Sequence, residues 1–168
     1  MQDVGMSDIR MVTSTKAIDE LFAKAAKIIF DKVQYNLNYL GLLCIRRIRD
    51  RSGDESWYDH TGNLRSSIGY AIYSYGKKEI ESAFDAVLGG SEGSQQGRKM
   101  VADLASKYSD TYALVVVAAM EYAENVEAIE SKDVLASTEI YAKREVERYL
   151  QKAIKEAEKE IQQIEVTL

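Results

Sequence analysis

Few residues in this chain have side chains suited to catalysis, and their spacing does not bring them together. The sequence holds one cysteine and one histidine, so a thiol nucleophile with an imidazole base could only be Cys44 with His60. Cys44 sits in the apolar helical stretch Leu42-Leu43-Cys44-Ile45, and His60 in a polar, aromatic loop with Trp57, Tyr58 and Asp59. That leaves the thiol without a base to activate it. One cysteine also excludes an internal disulfide and a thiolate metal site, and a buried, reduced thiol is the simplest reading. Glu121, Glu124, Glu127 and Glu130 recur every third residue, which suggests a carboxylate cluster for a hard cation. A three-residue step drifts around a helix of 3.6 residues per turn and splays along an extended chain, so these read as a solvated acidic segment. The run Gly89-Gly90-Ser91-Glu92-Gly93-Ser94 suggests a phosphate cradle, but Gly97 is followed by Arg98-Lys99 and not by lysine and a hydroxyl. Glu92 stands where the first glycine of that motif belongs. The chain therefore reads as non-enzymatic, with no cofactor and no metal. An enzyme reading would need a ligand pocket around residues 57–60.

The remaining polar group of interest is Arg46, Arg47 and Arg49, with Arg51 just beyond. Clustered arginines suit an acidic partner or phosphate. Equally, they are the cations that a helix C-terminus favours.

These residues are positioned by two long amphipathic helices and a small sheet. From residue 15 to residue 51, Ile18, Leu21, Phe22, Ala25, Ile28, Ile29, Val33, Leu37, Leu40, Cys44 and Ile48 recur at helical steps. Ser14 or Thr15 is the expected cap, with Asp19 and Glu20 favourably placed against the helix dipole. Gly41 is the expected bend or break. A helix of roughly 50 Å is longer than a core of this size requires. A second stripe, Ala142, Val146, Tyr149, Leu150, Ala153, Ile154, Ala157, Ile161 and Ile164, predicts a C-terminal helix over 138–163, charged on its other face.

Residues 64–75 alternate as a strand, with Leu64, Ile68, Tyr70 and Ile72 on one side. Its partner is the apolar run Leu114-Val115-Val116-Val117-Ala118, which reads as the fully buried strand of the fold. Between them, residues 76–110 form an inserted region with a short helix over 98–107 burying Met100, Val101 and Leu104. Such an excursion serves binding or is simply tolerated. The fold class expected is α+β: two long helices packed on a small antiparallel β-sheet, with a long, partly helical insertion between the strands.

With 168 residues, 46% apolar and 29% charged, the composition suits one soluble globular domain, preceded by a loosely held arm over residues 1–14. A net charge of -5 disfavours a nucleic-acid coat. No stretch approaches the ~20 apolar residues of a membrane span. The N-terminus lacks the order of a signal peptide, so residence in cytoplasm is expected. Proline is absent, which suits long helices.

Two short elements carry a resemblance. Thr61-Gly62-Asn63-Leu64-Arg65-Ser66-Ser67-Ile68 opens the predicted sheet, and Glu121-Tyr122-Ala123-Glu124-Asn125-Val126-Glu127 follows its second strand. In this order, after a long helix and before another, they resemble the tail-completion and neck proteins of long-tailed bacteriophages. In that family a Thr-Gly-x-Leu-Arg-x-Ser-Ile element opens the sheet and a Tyr-Ala-x-x-Val-Glu element closes the second strand. The resemblance covers residues 19–150. This chain departs from the family pattern at Ala128-Ile129-Glu130-Ser131, where a small Gly-Thr turn is common, and in the size of the region 76–110.

The resemblance implies a structural virion protein of a phage or prophage, a minor tail component forming a homo-oligomeric ring between the portal-side connector and the tail tube. Its partners would be the connector and tail-tube proteins of the same phage, with no sequence-specific nucleic acid and no membrane. Its place would be the virion neck, after assembly in the host cytoplasm. On this reading Thr61, Gly62, Asn63, Leu64 and Arg65 form the interaction turn, with Arg65 anchored to an acidic group such as Glu127 at the end of the partner strand, and Tyr122 is a further interaction residue. Arg46, Arg47 and Arg49 would face a protein neighbour. The bland alternative for the turn is that Gly62 and Leu64 simply start a strand. The alternative function is a helical adaptor binding one protein through its C-terminal helix stripe.

Overall fold

The computed structural model describes residues 14–50, 58–125 and 134–164. Helix α1 runs unbroken over Thr15–Arg49. Ser14 caps it, its Oγ accepting from the Ala17 N–H at 3.2 Å. Asp19 and Glu20 miss the first turn, which holds no acidic residue, so their expected interaction with the dipole falls away. Nor does Gly41 bend or break the helix. It is buried, and a Cβ there would stand 2.6 Å from Cδ2 of Tyr70. Gly41 gives up helix propensity so that the tyrosine ring can lie against the helix backbone.

The described strands form one antiparallel sheet in the order β2-β1-β3, with β1 over Ile68–Ser74, β2 over Lys77–Glu81 and β3 over Tyr112–Ala118. The predicted pairing of the two long strands is present, Ile68 opposite Ala118 and Ser74 opposite Tyr112. The predicted burial is reversed. β1 is central and buried from Ile68 to Tyr73, whereas β3 is an edge strand whose residues are mostly half-buried. An apolar run reports that both faces of a strand are covered, but it does not report whether both edges are paired.

Alternate residues of β1 serve two cores. Ile68, Tyr70 and Ile72 pack in the core that includes Leu37, Ile45 and Ile48 of α1. Ala71 and Tyr73 pack with Phe84, Val101 and Val117 on the other face.

The region 76–110 is more ordered than an excursion. A two-residue turn at Tyr75 and Gly76, with φ of +48° and +83°, folds β2 back on β1. Two positive φ values match the right-handed twist of a hairpin. The glycine-rich run is the start of helix α3, Ser91–Asp103, seven residues before the predicted helix, and a 3₁₀ turn over Leu104–Tyr108 follows. Gly93 and Gly97 lie on its packing face, where a Cβ would strike Asn63 and Phe84. Val101 is buried as expected and Met100 is exposed.

Helix α4, Ala136–Ile161, lies antiparallel to α1. Lys32 pairs with Glu160 at 2.7 Å, Asn36 Nδ2 donates to Glu156 Oε2 at 3.0 Å, and Arg47 lies over the Tyr141 ring at 5.1 Å. Tyr149, Ala153 and Ala157 of the predicted stripe are buried, while Ile154 is exposed. Because Glu160 meets Lys32, α1 continues some 25 Å past the end of α4. No residue of α1 before Asn36 is buried.

Candidate functional site: the turn at Thr61 to Ser67

The predicted interaction turn is not the first part of a strand. Residues Asn63–Ser67 form one helical turn, α2, leading into β1 at Ile68. Its N-cap is Gly62, at φ +73°, where a Cβ would lie 1.8 Å from the Val87 carbonyl oxygen. Both the left-handed backbone and the close approach require glycine. Serine hydroxyls that satisfy nearby backbone explain why a helical turn replaces the strand. Ser66 Oγ donates to the Gly62 carbonyl at 2.6 Å and accepts from the Val87 N–H at 2.8 Å. Ser67 Oγ donates to the Leu64 carbonyl at 2.8 Å and accepts from the Ala119 N–H at 3.2 Å.

Each remaining position of the turn binds a different element. Thr61 Oγ1 accepts from the Asn63 N–H at 3.2 Å. Asn63 spans to α3, its Oδ1 accepting from the Gly93 N–H and its Nδ2 donating to Glu92 Oε2, both at 3.1 Å. Leu64 is buried in the α1 core. The Arg65 N–H donates to Asp59 Oδ2 at 2.8 Å, and its guanidinium donates to the carbonyl of Arg49. Arg49 in turn donates to the carbonyl of Ile68. Burial holds the Arg49 guanidinium below its usual pKa range, with Asp85 and Asp50 acting in the other direction.

The two elements that carry the resemblance meet here. Tyr122 lies against the turn. Burial pushes its hydroxyl pKa up, with the Asp59 and Glu92 carboxylates adding to the shift and hydrogen bonding to Thr61 and the Leu64 backbone opposing it. Glu127, the predicted acceptor for Arg65, and Trp57 lie outside the described residues. The three arginines are divided: Arg49 is an internal strut, whereas Arg46 and Arg47 are exposed, Arg46 pairing with Asp50 at 3.2 Å. All three are in the last turn of α1, as the helix-end reading requires.

Sequence reasoning missed Ser66, Ser67 and Asp59 as members of this hub. The adjacent serines were the available signal, since hydroxyls at a turn compete for backbone partners.

The other candidates disperse. Cys44 is buried among Leu40 and Tyr149, and burial pushes its thiol pKa up to about 11, away from nucleophilic use. His60 is exposed, edge-on to Tyr58 at 4.1 Å. Glu121 and Glu124 are exposed, and Glu130 lies outside the described residues. Among the described residues no three His, Cys, Asp or Glu side chains converge on a cation site, and no helix is long and apolar enough to cross a membrane.

No protein-family model, curated protein or solved structure matches this chain.

Proposed function

We propose that this protein is an assembly component, a tail-completion or neck protein of a tailed phage or prophage, whose copies form a ring between the connector and the tail tube. The observation that carries the self-assembly is the projecting half of α1. Over Thr15 to Ile29 the helix keeps an apolar stripe of Ile18, Leu21, Phe22, Ala25, Ile28 and Ile29, yet nothing in that span is buried, and Phe22 is 69% exposed. A stretch of helix with no buried residue does not keep such a stripe for its own core. A closed ring uses one surface of each copy against a different surface of the next, and a projecting arm of helix supplies the first. The net charge of -5 suits a conduit that lets DNA pass without gripping its phosphates. The turn at Thr61 to Ser67, where both family-like elements meet, holds α1, α3 and the two long strands in register.

The solution mass of the purified protein at two concentrations, with negative-stain images of any large species, tests the proposal. Rings with a central hole are the expected result. A compact monomer at high concentration that also fails to join a connector or tail-tube protein would overturn it. The adaptor reading is less favoured, because Tyr149, Ala153 and Ala157 of the C-terminal stripe are already covered by α1.

A further inference from the structure

The two edges of the sheet are guarded unequally. β2 carries Lys77, Lys78, Glu79 and Glu81 along one edge, the charged pattern that blocks strand addition. β3 reads Tyr-Ala-Leu-Val-Val-Val-Ala on the other edge, with no charge, glycine or proline. Such a sequence invites another strand.

The hydrogen-bond parity fixes which groups are offered. Tyr75 donates to Thr111 at 2.9 Å and Ala119 donates to Ser67, so the odd-numbered residues of β3 bond to β1. The N–H and C=O of Leu114 and Val116 therefore point outward. No hydrogen bond among the described residues reaches them.

Beside this open edge the two-helix layer leaves space. Helix α4 flanks α1 on the β3 side. A groove of about 380 Å³ runs between Val33, Leu37 and Leu40 of α1, Leu114 of β3, and Ala142 and Val146 of α4. A second, of about 280 Å³, continues past Val116 to Leu135 and Thr138. The even-numbered side chains of β3 face these grooves, so an added strand would turn its own alternate side chains towards α4. Lys143 at the rim is held by Glu139 at 2.5 Å, which leaves little charge to select a charged ligand.

We infer that the β3 edge is an acceptor for a fourth strand, an extended segment of another polypeptide with uncharged, apolar residues at alternate positions, docking beneath α4. The segment comes without a helical layer of its own. A second copy could pair its β3 here only with its own helices on this same face, because opposed residues of an antiparallel pair share a face, and α4 already occupies that space. Main-chain hydrogen bonds to Leu114 and Val116 would give affinity, and the grooves would select the apolar side chains. This inference does not rest on the ring proposal.

The probe is a short synthetic peptide alternating valine and threonine between terminal lysines, added in high salt and followed by amide hydrogen exchange. In the free protein the Leu114 and Val116 amides exchange fast, while those of Ala113, Val115 and Val117 are slow. Saturating peptide slows Leu114 and Val116 by about tenfold or more. A peptide N-methylated at alternate residues, which lacks donors along one edge, gives no protection. Ala142→Phe fills the groove from its half-buried wall and weakens the unmodified peptide by about tenfold or more. Unchanged exchange at saturation, equal protection by the N-methylated peptide, or undiminished binding to a folded Ala142→Phe protein would each overturn the inference.

Discussion

The ring of Tyr70 occupies the place of a side chain at Gly41: a Cβ on that glycine would lie within 2.6 to 2.8 Å of three ring carbons. The tyrosine hydroxyl also donates to Asn38 Oδ1 at 2.6 Å, one turn before the glycine, so the ring is fixed from both ends. Gly41→Ala should therefore destabilise the protein, although alanine favours a helix by about 1 kcal/mol over glycine. Overpacking against a fixed ring costs about 1–3 kcal/mol and outweighs that gain. A lower urea midpoint with an unchanged slope is the expected result. A rise in midpoint would show that the ring can retreat.

The turn at Gly62 makes a sharper demand. Gly62→Ala must move the backbone or the Val87 carbonyl, since the added carbon would lie 1.8 Å from that oxygen at a φ that disfavours any Cβ. Ser66→Ala is milder: it removes no volume to speak of but leaves the Val87 N–H without its hydroxyl acceptor. A lost partner costs about 1–3 kcal/mol for a fully buried donor and less for this half-buried one. Thermal melts of both variants should fall below wild type, with Gly62→Ala the lower. If Ser66→Ala melts with wild type, the hydroxyl is not part of what holds α2 to the loop before α3.

These two glycines show what was legible in the sequence. The periodicity of α1 and α4 gave their existence and faces, and the strand pairing followed from two apolar segments. Gly41 read as a break because propensity is local, whereas its reason, Tyr70, lies in another element. Residues 64–67 read as strand because Leu64 extends the alternation of β1, but the hydroxyls of Ser66 and Ser67 bind local backbone and favour a helical turn. β2 was hidden by the charges that guard its edge, and the start of α3 by Gly93 and Gly97, which serve close packing. The contact of Tyr122 with the turn has no signal in the sequence, since the two elements lie more than fifty residues apart. One partner of the Arg65 guanidinium, the Arg49 carbonyl, carries no side-chain signal at all.

Wholly or partly buried acids should set the alkaline limit of stability. The Cys44 thiol is pushed up to about 11 by burial, and the Tyr73 and Tyr112 hydroxyls up to about 12, burial again being the main cause. Each ionises more readily in the unfolded chain, so its contribution is complete below the unfolded pKa and is lost as pH rises through the folded value. The denaturation midpoint should hold to about pH 9 and then decline, first through the cysteine and then through the tyrosines. Cys44→Ala should flatten the first part of the decline, between about pH 9 and pH 11. An unaltered profile would mean that the thiol does not couple to folding. Native Cys44 should also resist thiol reagents at pH 8 and react once urea unfolds the chain.

The projecting half of α1 separates assembly from folding. Phe22 is 69% exposed and lies before the point where Lys32 meets Glu160, so its substitution removes no contact with α4. Phe22→Glu should leave the melting temperature of the monomer within the small range of surface changes, about 0.5 kcal/mol either way. If the stripe of Ile18, Leu21, Phe22 and Ala25 seats against a neighbouring copy, the same change puts a charge into an apolar interface. The mass at high concentration should then drop to that of the monomer, about tenfold or more weaker in association. Phe22→Leu keeps the apolar surface and should retain assembly. Rings formed equally well by the Phe22→Glu protein would place the contact elsewhere and remove the support that the projecting helix gives to the neck proposal.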